Sequence, residues 1–127
     1  MENLSYLFVL LVAFQIKHWL ADYLLHLPSL LDRNIKEHEK HWWVVLFTHS
    51  FLHSFLTGLI IIVSNYTLWY LLLIDLLGHL IIDGIRSHPK LLGRYNHIYF
   101  YYWKIMGLDQ MGHHLTHYLI IYLLITL

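Results

Sequence analysis

Residues 66–85 read "YTLWYLLLIDLLGHLIIDGI", a run apolar enough to lie in lipid except at Asp75, His79 and Asp83, which are spaced four apart. On a helix, residues four apart stack on one face, about 6 Å apart along the axis. The run therefore predicts a hydrophobic helix with a single polar stripe. An ionised aspartate near the middle of a membrane-spanning helix costs about 2.5–3.5 kcal/mol on insertion scales, and such residues normally face a partner or a wet cavity. Something in this protein must meet the stripe.

The rest of the chain supplies the same solvent. It has 127 residues, 58% hydrophobic and 13% charged, with eight basic and eight acidic residues, twelve histidines and no cysteine. At that length a single domain over 1–127 is expected. A soluble domain this small does not bury so much apolar surface, which points to an all-α integral membrane protein. The missing cysteines exclude a disulfide framework, a thiolate metal site and a cysteine nucleophile. Balanced charge gives no reason to expect nucleic acid.

Four spans of bilayer length can be drawn, about 3–27, 42–64, 66–86 and 107–127. The start, "MENLSYLFVLLVAF", lacks a basic leader and is read as a retained span. Only "SNY" (64–66) separates the second and third spans, so they form an antiparallel hairpin in an up-down four-transmembrane-helix bundle. The other connections, 28–41 and 87–106, are longer and share the opposite face, with Pro28 and Pro89 at helix ends. The second includes "YFYYW" (99–103), suited to a short interfacial helix before the last span. All basic residues, at 17, 33, 36, 40, 86, 90, 94 and 104, fall on or near that face, with Lys17 at its rim. The positive-inside rule makes it cytoplasmic and puts both termini outside.

The fourfold spacing recurs in every span: His18, Asp22 and His26; His49 and His53; Asp75, His79 and Asp83; Asp109, His113 and His117. Seven His/Asp pairs stand four apart, where chance placement gives about two. Given the up-down order, the stripes reach one level in the cytoplasmic half of the bundle. Imidazole and carboxylate together suit a divalent ion, zinc first, then manganese or iron(II). Helical bundles build two-metal sites from facing helices, and the number of ligands here is enough for one or two ions.

The candidate metal ligands are His18, Asp22, His49, His53, His79, Asp83, Asp109, His113 and His117. His26 and Asp75 are placed behind them as supporting partners, Asp75 one turn deeper and able to orient His79. Gly78 precedes His79 and suits close helix approach. Gln110 and His114 are candidate catalytic residues, the first to orient water or a substrate oxygen, the second to take a proton. Arg33, Lys36, Arg86 and Lys104 ring the mouth and suit an anionic headgroup. His38, His41, His88 and His97 read as solvated loop residues. A lone intramembrane histidine is more often a helix–helix hydrogen-bonding residue than a ligand, so the metal reading rests on the set.

The motifs "HWLADYLLH" (18–26), "THSFLHS" (48–54), "HLIIDGIR" (79–86) and "DQMGH" (109–113) resemble, in that order, those of the bacterial and phage membrane proteins grouped as domain of unknown function 3307. The resemblance covers nearly the whole chain and implies a helical protein of the bacterial inner membrane. It points to His18, Asp22, His49, His53, His79, Asp83, Asp109, Gln110 and His113 as the shared positions, and departs at His26, where the family pattern has glutamine. "THS" also resembles a motif of LexA-regulated membrane-bound metal-dependent hydrolases, which implies metal-assisted hydrolysis.

The leading expectation is an intramembrane metal-dependent hydrolase whose partner is a phosphate ester or lipid headgroup at the cytoplasmic leaflet, with an oligomer left open. The alternatives are a divalent-ion or proton transporter or channel, a di-iron membrane oxidase, since "HSFLH" (49–53) and "HHLTH" (113–117) are similar to desaturase histidine boxes, and a non-catalytic phage or bacterial accessory protein.

Overall fold

The computed structural model describes residues 2–24, 35–88 and 100–127, and the side chains of 2–22, 42–88 and 100–127. Among these residues there is no strand. Helix α1 (Glu2–Trp19) passes into a π-helical turn, Leu20–Leu24. Helix α2 (Ile35–Asn65) leads through a 3-10 segment, Tyr66–Leu71, into α3 (Leu72–Ser87), and α4 spans Phe100–Thr126. The fold is all-helical, as expected.

Several boundaries move. Helix α2 already runs at Ile35, so 35–41 is not loop. Helix α4 begins at Phe100, so 100–106 is the first part of the last helix and not a separate interfacial one. Hydropathy falls in both stretches while backbone hydrogen bonding continues, because polar side chains cost a helix little once it is started. The hairpin between α2 and α3 is wound tightly and does not hang on a three-residue loop. Asn65 is extended (φ −161°, ψ 97°), its Oδ1 accepts from the Thr67 backbone N–H at 3.2 Å, and Leu68 (φ −96°, ψ 22°) takes up the remaining bend. A short polar side chain that caps the following turn is what asparagine supplies best.

The bundle has two layers. Toward the hairpin, Leu10 and Phe14 of α1, Ile61 of α2, Leu68 and Leu71 of the 3-10 segment, and Ile120, Ile121 and Leu124 of α4 form the buried apolar cluster. Toward the other end the buried residues are mostly polar: Lys17, His18, Ser50, His53, Ser54, Thr57, Asp75, His79, Asp83, Asp109, His113 and His117, with Ala21 and Leu46 the buried apolar residues outside the cluster. The Phe14 and His117 rings, 5.2 Å apart, mark the boundary.

Outside, the polarity is reversed. In α3 the buried residues are Asp75, His79 and Asp83, while Leu73, Leu77, Ile81 and Ile85 are exposed. Two helical stretches, Glu2–Asp22 and Trp42–Ser87, are long and apolar enough to cross a membrane by length and composition. The second contains both expected middle spans; α4, with its polar residues from Asp109 to His117, is not among these stretches.

Helices α3 and α4 approach closely at two glycines. A Cβ at Gly78 would lie 3.0 Å from Thr116 Cγ2, and one at Gly112 would lie 3.0 Å from Ile82 Cδ1. The first of these is the close approach expected beside His79.

A candidate metal centre of histidines and aspartates

Two carboxylates organise the polar layer. His18 and Asp22 lie four apart where α1 widens into its π-turn, a feature that often marks functional sites. Asp22 Oδ2 stands 2.8 Å from His18 Nε2. Its Oδ1 accepts from His53 Nε2–H at 2.8 Å and lies 3.3 Å from His49 Nε2. Asp83 repeats the arrangement on α3: Oδ1 accepts from His113 Nε2–H at 3.0 Å and Oδ2 from His79 Nδ1–H at 3.2 Å. His49 Nε2 is also 3.9 Å from Asp83 Oδ2, which sets this imidazole between the two carboxylates. The imidazoles are crowded, with ring centroids 4.0 Å apart for His53 and His79 and 4.2 Å for His79 and His113.

One turn deeper is a different arrangement. Lys17, expected at the rim, is buried at 3% exposure and forms an ion pair with Asp75 at 3.3 Å. The helix turns this residue inward beside His18, where Asp75 and His117 receive its ammonium. Thr57 Oγ1 donates to Asp75 Oδ2 at 3.0 Å, and His79 Nε2 is 3.6 Å from Asp75 Oδ1. Asp75 thus lies against His79, with Lys17 as its closest cation.

At the end away from the hairpin Arg86 Nε stands 3.4 Å from Asp109 Oδ1, and His113 Nε2 is 3.5 Å from the same oxygen. Gln110 Nε2 donates to Asp109 Oδ2 at 3.1 Å, while Gln110 Oε1 lies 2.9 Å from His18 Nε2 and accepts from it. His114 is bound on the Gln15 side: its Nδ1 accepts from Gln15 Nε2 at 3.3 Å, and its ring is 5.3 Å from that of His18. Lys104 is exposed and rests over the Phe100 ring, 4.5 Å from its centroid. His26 and Arg33 lie outside the described residues, as do the side chains of Lys36, His38 and His41, and so does His97. His88 ends α3 with its ring 4.8 Å from that of Trp42.

The structure brings His18, Asp22, His49, His53, His79, Asp83 and His113 together, with Asp109 at the Arg86 side and His117 at the Lys17 side. Sequence reasoning that counted only His and Asp missed Ser50, Ser54 and Thr57, all buried. Thr57 stands four residues after His53 and continues the α2 stripe, a signal that a wider polar count would have caught.

Four trios bring one possible ligand atom from each member within 4.8 Å of the others: His18/Asp22/His53, His49/His53/His79, His79/Asp83/His113 and Asp75/His79/His117. Two ligands of a tetrahedral zinc ion, each about 2.0–2.2 Å from it, stand about 3.3–3.6 Å apart. The imidazole–carboxylate separations around Asp22 and Asp83, 2.8 to 3.9 Å, bracket that spacing. Among the described residues, His18 Nδ1, His53 Nδ1 and His79 Nε2 are buried without a hydrogen-bond partner. Such nitrogens are costly to leave unpaired, and they add to the donor capacity of the site. The residues present fit a divalent ion.

Compared with family models, with curated proteins and with solved structures, the chain matches none.

Proposed function

We propose that the chain is an integral membrane protein whose four helices cross the bilayer in up-down order, and whose polar layer is a metal centre that hydrolyses a phosphate ester or lipid headgroup at the cytoplasmic leaflet. The observation that carries this reading is a pair of trios with no member in common, His18/Asp22/His53 and His79/Asp83/His113, with His49 between their carboxylates. The bilayer is supported by the reversed polarity, apolar side chains outward and His/Asp inward, which leaves α4 able to cross as part of the bundle despite its polar stripe. The resemblance to the 3307 family belongs to the same proposal and contributes its bundle and not its reaction.

The two trios are the residues that would each hold an ion, zinc first. Bound there, a divalent ion supplies Lewis acidity and brings the pKa of a water toward neutrality. The remaining work falls to the chain. Asp22 and Asp83 hold imidazoles from neighbouring helices in register. Gln110 ties Asp109 to His18 and thereby couples α1 to α4 at the mouth. Arg86 and Lys104 lie at the open end and attract an anionic headgroup. His114, partly exposed and steadied by Gln15, is placed to exchange a proton with the mouth.

Hydrolysis is favoured over ion passage by the apolar cluster from Leu10 to Leu124, which fills the bundle beyond Lys17 and offers an ion no onward ligands. It is favoured over di-iron oxidation by the carboxylate in both of these trios, where desaturase boxes use histidine alone; of the four trios only His49/His53/His79 lacks one.

Elemental analysis of the detergent-purified protein tests the centre: about two ions per chain are expected, as in other bundle di-metal sites. Asp22→Asn and Asp83→Asn should each lose metal from one trio. Headgroup or phosphate release from vesicles containing anionic lipid should disappear in both variants. A wild-type preparation from metal-replete cells that carries no transition metal overturns the reading.

A further inference from the structure

Of the four trios, Asp75/His79/His117 differs in being filled by the chain itself. Lys17 Nζ donates to Asp75 Oδ2 at 3.3 Å and to His117 Nε2 at 3.2 Å, and lies 3.5 Å from Asp75 Oδ1. All of these side chains are buried, Asp75 completely. An ammonium has three donors and no acceptor, so in this position it does what a bound cation does. It neutralises a carboxylate and satisfies an imidazole lone pair where water cannot.

We infer that Lys17 is the built-in occupant of a third cation site, formed by Asp75, His79 and His117, and that it confines metal to the trios nearer the mouth. This rests on the metal-centre reading above and assigns an occupant to one of the two trios that the reading leaves without an ion. The arrangement also accounts for His79. With Asp75 held by Lys17 and by Thr57 Oγ1, His79 Nε2 stays 3.6 Å from Asp75 and takes no hydrogen bond from the described residues, while Nδ1–H turns to Asp83 at 3.2 Å. Lys17 is a positioning residue: it occupies Asp75 and His117, so that no ion draws on His79 Nε2 from that side while Nδ1 serves the mouth-side trio with Asp83.

The test counts ions in wild type, Lys17→Ala, and Lys17→Ala combined with His117→Ala, all expressed and purified with zinc. Lys17→Ala should bind one zinc more per chain than wild type, and the double variant should lose that ion again. A purely structural lysine predicts a weaker bundle with an unchanged count, and an unchanged count overturns the inference. Wild type without zinc beside Lys17→Ala with one ion would keep this inference and sink the proposed function; zinc in neither sinks both. If Lys17→Ala does not purify folded, Lys17→Gln keeps a donor toward Asp75 without the charge, and the same comparison of counts decides.

Discussion

Gln110 spends both ends of its amide, one on Asp109 and one on His18, so it holds two candidate ligands from different helices while belonging to neither trio. Partners of this kind fix ring orientation, and their loss typically weakens metal affinity about 10–100-fold. Gln110→Ala should therefore bind the same number of ions with affinity lower by about that factor, measured by competition with a chromophoric chelator. Unchanged affinity would remove Gln110 from the centre. The sequence made Gln110 visible through "DQMGH", and it made the fourfold His/Asp stripes visible because a helical period is a local property. It did not disclose that Lys17 turns inward. That depends on which face of α1 meets α3 and α4, and a basic residue next to a span end reads equally well as a snorkelling one.

Among the elements, α3 and α4 approach closely at two glycines, and the two are not equivalent. At Gly78 an added Cβ meets Thr116 Cγ2 at 3.0 Å and Oγ1 at 3.2 Å. Thr116 is β-branched and its hydroxyl donates to the Gly112 carbonyl at 2.9 Å, so it cannot easily give way. At Gly112 the neighbour is the Cδ1 end of Ile82, which can rotate aside. Gly78→Ala should destabilise the protein by about 1–3 kcal/mol through overpacking, and should push His79 from His113. Gly112→Ala should stay within about 1 kcal/mol of wild type, since alanine's better helix propensity offsets the small repacking. Thermal unfolding in mild detergent measures both, and the reverse order would contradict the packing of this face. Gly78 was legible as a close-approach residue because it precedes His79; Gly112 was not, because its partner Ile82 is thirty residues away in sequence. The helix starts at Ile35 and Phe100 were hidden for another reason: hydropathy marks where a helix suits lipid and not where it begins.

For the whole molecule the deciding property is its inverted section, His and Asp inside and Leu, Ile and Phe outside. In water such an exterior would associate; in a bilayer it is the solvent-matched face, and the interior polar groups must then satisfy one another or a cation. For the proposed four-span bundle, charge would set the orientation. Arg86 and Lys104 border the His/Asp end, whereas the hairpin end, with Tyr66, Trp69 and Tyr70 exposed, has no basic residue among 42–85. On that proposal the positive-inside rule puts the His/Asp end toward the cytoplasm and the hairpin and both termini outside. The absence of cysteine makes this directly measurable, because each single introduced cysteine is the only thiol in the chain. In intact cells a membrane-impermeant maleimide should label Asn3→Cys, Tyr66→Cys and Thr126→Cys, and should reach Lys104→Cys only after the membrane is opened. Labelling at 3 and 126 from opposite sides would mean an odd number of crossings and would exclude the four-span bundle. Labelling of Lys104→Cys alone in intact cells would keep the bundle but turn it over, moving the centre and its substrate to the outer leaflet.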